Sequence, residues 1–339
     1  MPIDLRPLAA AVPDAVVERL RGARRVLAIG HENPDADALG AALAIGMLTE
    51  ALGGLATVAA ADPVPDLYRF IEGIEAVRTD PEPGVTYDLI VLCDCGDLSR
   101  VGAIRERNAA LFATTPLLTL DHHASNEGSG DLAWIDPGAA ATCEMVALLA
   151  ARLEVPLVAF EGRLAAALTA GIVMDTATFA HPNATPRTLQ VAAALLEAGA
   201  PLSEISRHLY RTKPDAQLAL FGRVLGRLES QADGLVIAST IELADLVATG
   251  ARSEHSEGII DLLAQSETAE VALVLKEKED ATRLSVRTKP GGVDATVLCG
   301  TWGGGGHARA AGASLALPLA DAVAVVIPVA IRLARAVAR

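Results

Sequence analysis

Short, wholly apolar runs alternate with helical patterns along the first half of the chain. VLAIG (residues 26–30) is partly β-branched and closes on a loop containing Pro34, which predicts a buried strand. Residues 36–52 predict a helix that stops at Gly53-Gly54, and LATVAA follows as the next strand. The same grammar returns in YDLIVLCD and PLLTLDHH, while residues 13–22, 139–153 and 163–176 read as helices. Strands that are apolar throughout and alternate with helices predict an α/β fold: a parallel sheet covered on both faces.

Past residue 198 the pattern changes. Pro201, Pro214 and a mixed charged stretch predict a linker over 199–217, between a first domain at 1–198 and a second at 218–339. The second domain predicts a smaller α/β unit. It contains the strand-like runs GLVIAST, AEVALVLKE and TRLSVRTK, a helix over 257–264, a further short helix, the sequence GGGGH ending at His307, and an apolar helix over 319–339.

The predicted strands end in chemistry. VLAIG runs into His31, Asp35 and Asp37, LIVLC into Asp94, and LLTL into Asp121, His122 and His123, while Asp175 lies near the end of a predicted helix. Ligands of parallel sheets bind beyond the carboxyl ends of the strands, where these residues fall. A single aspartate at a strand end is ordinarily a cap or turn residue. Four carboxylates (Asp35, Asp37, Asp94, Asp175) and two imidazoles (His31, His122) at successive ends instead predict two divalent cations sharing a bridging carboxylate. Hard oxygen donors mixed with imidazole favour Mn²⁺, with Mg²⁺ or Co²⁺ as substitutes. Asp175 opposes the dipole of its helix, so another group should compensate it. Such a centre suits phosphoester hydrolysis. His123 would point differently from His122, to meet a phosphate oxygen or leaving group or simply to support its neighbours.

The length of 339 residues accommodates two cores, and a composition 51% hydrophobic but only 3% aromatic suits closely packed α/β layers. A net charge of −14 argues against a surface for long duplex DNA, though not against a small anion held locally. Cys93, Cys95, Cys143 and Cys299 form no CxxC pair and read as reduced, with Cys93 and Cys95 packing at a strand end. No signal-peptide pattern and no membrane-length apolar run is expected, which makes the cytoplasm the expected location. In the second domain, GGGGH lies near Arg283, Arg287, Lys289 and Arg309. Arg287 is the first candidate for phosphate, with Arg283 on the same side of an alternating strand.

HENPDAD, CDCGD, DHHASN and GIVMD resemble the four motifs of the DHH phosphoesterase superfamily, and GGGGHARAAG resembles the signature of its DHHA1 domain. Their order and spacing are similar to the bacterial family of bifunctional oligoribonucleases and pAp phosphatases, where pAp is adenosine 3′,5′-bisphosphate. The resemblance implies that His31, Asp35 and Asp94 bind one Mn²⁺ and that Asp37, Asp94, His122 and Asp175 bind the other. Asp94 would bridge them, His123 would contact the scissile phosphate, and Asp121 would orient the histidines. Arg287, Gly304, Gly305, Gly306 and His307 would hold the distal nucleotide or phosphate, with the active site in the interdomain cleft. It further implies short RNA, dinucleotides and pAp as substrates, and a homodimer. Cyclic-di-AMP phosphodiesterase and RecJ-like single-strand DNA exonuclease are the alternative activities. A family II pyrophosphatase would lack the GGGGH-type domain, and a regulator with a degenerate metal site is disfavoured by the intact ligand set.

Overall fold

In the computed structural model, which describes residues 3–337, the chain divides into two compact units that meet in sequence between Thr212 and Lys213. The first unit contains α1 (Asp14–Gly22), β1 (Arg25–Gly30), α2 (Ala36–Ala51), β2 (Leu55–Ala60), β3 (Leu89–Cys93), β4 (Leu117–Asp121), β5 (Leu132–Ile135), α3 (Thr142–Arg152), α4 (Arg163–Asp175) and α5 (Pro186–Glu197). Its five strands are all parallel, in the order β2-β1-β3-β4-β5.

Strand alternation sends Val26, Ala28, Leu89, Val91, Leu118 and Leu120 into the core formed with α2, α3 and α4. Leu27, Ile29, Ile90 and Leu92 point to the opposite face, against Val101 and Ile104. That is why these strands read as unbroken apolar runs: each fully buried Leu or Ile contributes about 1.5–3 kcal/mol, and both faces need them. The helix α2 is buried nearly all round, so it is apolar all round as well.

Two elements depart from the expected pattern. β5 is a four-residue edge strand with only Trp134 buried, too short to register as an apolar run. Within residues 199–217 the chain is helical over Leu202–Ser206 and again over Arg207–Arg211, and the i, i+4 pair Ile205 and Leu209 is buried against Leu39, Leu43 and Tyr68.

The second unit contains α6 (Asp215–Gly226), β6 (Glu229–Gln231), β7 (Val236–Ile241), α7 (Leu243–Thr249), α8 (Ile259–Leu263), β8 (Val271–Glu277), β9 (Thr282–Thr288), α9 (Ala295–Gly300), β10 (Gly305–His307), β11 (Ala310–Leu315) and α10 (Leu319–Val337). Its six-stranded sheet has the order β10-β11-β9-β8-β7-β6 and is mixed, parallel only between β7 and β8. Ala322, Val326, Ala330 and Ala334 form the stripe by which α10 packs on one face, while Leu220, Val224, Ile259 and Leu263 cover part of the other. Among the described residues no helix is long and apolar enough to cross a membrane.

Candidate metal centre

The strand order places the topological switch point of the first sheet between β1 and β3, whose chains leave toward opposite edges. His31 follows β1, Asp94 follows β3, and His122 and His123 follow β4. Asp94 has φ +61°, a left-handed conformation that costs an L residue about 1–2 kcal/mol. It is held there by its backbone N–H, which donates to the Leu120 carbonyl at 2.9 Å. The turn leaves the two Asp94 oxygens facing different histidines. Oδ2 is 3.6 Å from His31 Nε2, and Oδ1 is 3.5 Å from His122 Nε2.

On the first side, His31 Nδ1 lies 2.7 Å from the Glu32 carbonyl, which assigns a ring proton to Nδ1 and directs Nε2 inward. Asp35 divides its oxygens between two tasks. Oδ1 caps α2 by accepting from the Asp37 and Ala38 amides, while Oδ2 lies 3.7 Å from His31 Nε2. His31, Asp35 and Asp94 thus each bring a donor atom within 4.8 Å of the others.

On the second side, Asp37, His122 and Asp175 converge within the same limit. Asp37 is completely buried and accepts the Thr142 and Cys143 amides at 2.7 and 2.8 Å, so the start of α3 anchors a carboxylate from the start of α2. Asp175 closes α4, and its Oδ2 lies 3.1 Å from His122 Nε2, the partner that its unfavourable place on the helix dipole demanded. This approach is not a hydrogen bond, since His122 Nε2 is buried with no partner in bonding geometry. The two donor atoms are aimed past each other, as ligands of a common cation are.

Electrostatics favour the same occupant. Burial, joined by repulsion from Asp94 and Asp175, raises the Asp37 carboxyl well above the usual range. Burial alone would depress the histidines, but the facing carboxylates of Asp35 and Asp94 push His31 up to about 10, and those of Asp175, Asp37 and Asp94 do the same for His122. Crowded carboxylates thus favour a positive charge among them. The cluster's carboxylate and imidazole donors, with no thiolate among them, fit hard or borderline divalent cations. The buried thiols of Cys93, Cys95 and Cys143 are pushed far up by burial and pack as apolar groups.

His123 adjoins this cluster, its Nδ1 3.5 Å from Asp94 Oδ1, but is held chiefly by Asp121. Its Nδ1 is 2.8 Å from Asp121 Oδ1, and Asn126 donates to Asp121 Oδ2 at 2.6 Å, so both oxygens of the fully buried Asp121 are engaged. The hydrogen bond that His123 donates to Asp121 raises the His123 pKa and directs Nε2 away from Asp121. Asn126 and Thr142 are polar partners that the strand-end pattern does not mark. Asn126 sits three residues beyond the DHH triplet, and Thr142 lies in an alanine run that opens a helix.

In the second unit, cross-strand register places Arg283, Ser285 and Arg287 of β9 on one sheet face with Gly305, His307, Ala310 and Gly312 of the β10–β11 hairpin. Arg283 is exposed, whereas Arg287 Nε donates to Asp261 at 2.8 Å. The glycine run, expected as a flexible loop, ends as an edge strand. A Cβ on Gly304 would lie 2.3 Å from the Gly312 carbonyl, and one on Gly306, with φ +142°, 2.5 Å from the Ala310 carbonyl. Close backbone approach is what requires glycine there.

A switch-point cluster of aspartates and histidines in one unit, with an arginine-bearing glycine hairpin in the other, is the combination that marks DHH phosphoesterases carrying a DHHA1 domain. The chain belongs to this family: residues 25–172 match the DHH family N-terminal domain and residues 233–333 the DHHA1 domain. It is 33% identical over 288 residues to the bifunctional oligoribonuclease and PAP phosphatase NrnA of Thermus thermophilus, covering 84% of this chain and 82% of that protein. The NrnA of Bacillus subtilis is 27% identical over 286 residues, 84% of this chain and 87% of its own. An exopolyphosphatase-related protein from Bacteroides fragilis shares the fold, with a TM-score of 0.84 at 20% identity over 96% of this chain and 97% of that one.

Proposed function

We propose that the protein is a two-metal phosphoesterase that hydrolyses short oligoribonucleotides and dinucleotides to 5′-mononucleotides and converts pAp to AMP. The observation that carries this proposal is Asp94, whose two carboxylate oxygens face separate sets of ligands. The substrates follow from the NrnA relatives, whose names give oligoribonuclease and PAP phosphatase activity.

His31, Asp35 and Asp94 would hold one ion, and Asp37, Asp94, His122 and Asp175 the other, with Mn²⁺ the expected species. When bound, a pair of divalent ions acidifies water toward neutral pH and stabilises charge on the phosphoryl oxygens. The chain's own residues then orient the reaction. His123, braced by Asp121, presents Nε2 to a phosphate oxygen or the leaving group. Arg287, with Gly304, Gly305, Gly306 and His307, binds the distal phosphate or nucleotide, and Arg283 shares that face. The acidic surface disfavours long duplex DNA.

The test is a side-by-side rate comparison with Mn²⁺-loaded protein on pApA, pAp, cyclic-di-AMP, oligonucleotides of increasing length and pyrophosphate. AMP release fastest from pApA and pAp is expected. A preference for cyclic-di-AMP or for long single-stranded DNA would overturn the substrate assignment.

A further inference from the structure

We infer that Thr142 is a positioning residue that fixes Asp94 relative to Asp37 and thereby sets the affinity of the ion held by Asp37, His122 and Asp175. The inference rests on the two-ion proposal above. Thr142 is completely buried and is the first residue of α3. Its hydroxyl donates to Asp94 Oδ1 at 3.0 Å, and its backbone N–H donates to Asp37 Oδ2 at 2.7 Å. One residue therefore binds two carboxylates that reach the centre from different elements, one after β3 and one in α2.

The hydroxyl bond is selective. It engages Oδ1, the oxygen 3.5 Å from both His122 Nε2 and His123 Nδ1, and not Oδ2, which lies 3.6 Å from His31. Asp94 also needs such support, because its left-handed backbone provides no regular strand or helix to fix the side chain. Loss of the hydroxyl leaves a buried carboxylate oxygen short of a donor and free to rotate. Rotation moves both oxygens, but the lost donor belonged to the oxygen on the His122 side, while the His31 side keeps Asp35 and the bond from His31 Nδ1 to the Glu32 carbonyl, so the larger effect falls on the His122 side.

Calorimetric titration of Mn²⁺ into the metal-free full chain separates the two sides. Thr142→Val, nearly isosteric but without the donor, is expected to weaken one of two binding steps about tenfold and the other distinctly less. Thr142→Ser is expected to restore the wild-type isotherm. Asp175→Asn, which removes a ligand from the same side, identifies the affected step. Two unchanged affinities in Thr142→Val, or equal weakening of both, would overturn the assignment. Should Thr142→Val fail to fold by circular dichroism, Thr142→Ala is read by the same criteria. Wild-type protein that takes up a single ion would overturn the two-ion proposal itself, and the Thr142 assignment with it.

Discussion

Gly171 faces the metal centre from inside α4, and replacing it with alanine tests how tightly α2, α3 and α4 define the ligand positions. A Cβ there would lie 2.4 Å from Cys143 Sγ, 2.5 Å from Asp37 Oδ1 and 2.9 Å from Asp37 Cα. Ordinary carbon contacts are about 3.5–4.0 Å, so these atoms must retreat by roughly 1 Å. Asp37 cannot retreat freely, because its carboxylate accepts the Thr142 and Cys143 amides. Overpacking costs about 1–3 kcal/mol, and each strained bond to a charged acceptor adds up to about 1.5–3 kcal/mol. Helix propensity works in the opposite direction, favouring alanine by about 1 kcal/mol. A net loss of about 2 kcal/mol or more is expected, which lowers Tm by roughly 4–8 °C in a unit of this size. Scanning calorimetry of the metal-free full chain reads this, and Mn²⁺ titration should show weaker binding of one ion. Combining Gly171→Ala with Cys143→Ala should recover part of the stability but not the ion. A Gly171→Ala protein that melts higher than wild type and binds Mn²⁺ normally would refute the steric argument.

Three further perturbations separate the remaining roles. His123→Ala should lower kcat on pApA by about 10²–10⁴ while leaving Mn²⁺ affinity within about twofold, as expected of a residue that touches phosphate and not metal. Arg287→Ala should raise KM for pApA roughly tenfold with a smaller change in kcat, measured by steady-state kinetics; a pure kcat effect would place Arg287 elsewhere. Asp245, fully buried in the second unit, is held below the usual carboxylate range because Arg223 and Arg227 outweigh its burial. Its folded pKa is depressed, so its stabilisation is present above about pH 4 and is lost as pH falls through the folded value. Asp245→Asn should therefore lower Tm at neutral pH and flatten the decline of Tm in acid, both read by calorimetry.

The first sheet was legible because its central strands are buried on both faces: VLAIG and LIVLC cannot be read as anything amphipathic. That His31, Asp35, Asp37, Asp94, His122 and Asp175 belong to clusters at the strand ends was legible for a related reason, since polar residues that follow such runs have few structural uses. β5 was not, because an edge strand of four residues lacks the signal. The helices at Leu202–Ser206 and Asp215–Gly226 were obscured by Pro201 and Pro214, which read as linker prolines yet occupy the N-cap positions that start those helices. Proline at a helix start satisfies the backbone that it would break in the interior. The GGGGH run illustrates the opposite ambiguity, because glycine marks flexibility and close packing with the same letter, and here Gly304 and Gly306 pack. Thr142 lies 48 residues from Asp94 and 105 from Asp37, so only the folded sheet brings its hydroxyl and amide to them.

If paired cations held around Asp94 drive phosphoester cleavage, AMP release from pApA by chelator-stripped protein should depend on Mn²⁺ added back, and Asp94→Asn, measured in parallel, should not respond. No release without metal, recovery on addition that tracks occupancy of two sites, and no recovery in the folded Asp94→Asn protein are expected. Undiminished release from metal-free protein, or full activity in Asp94→Asn, would rule out the two-ion mechanism.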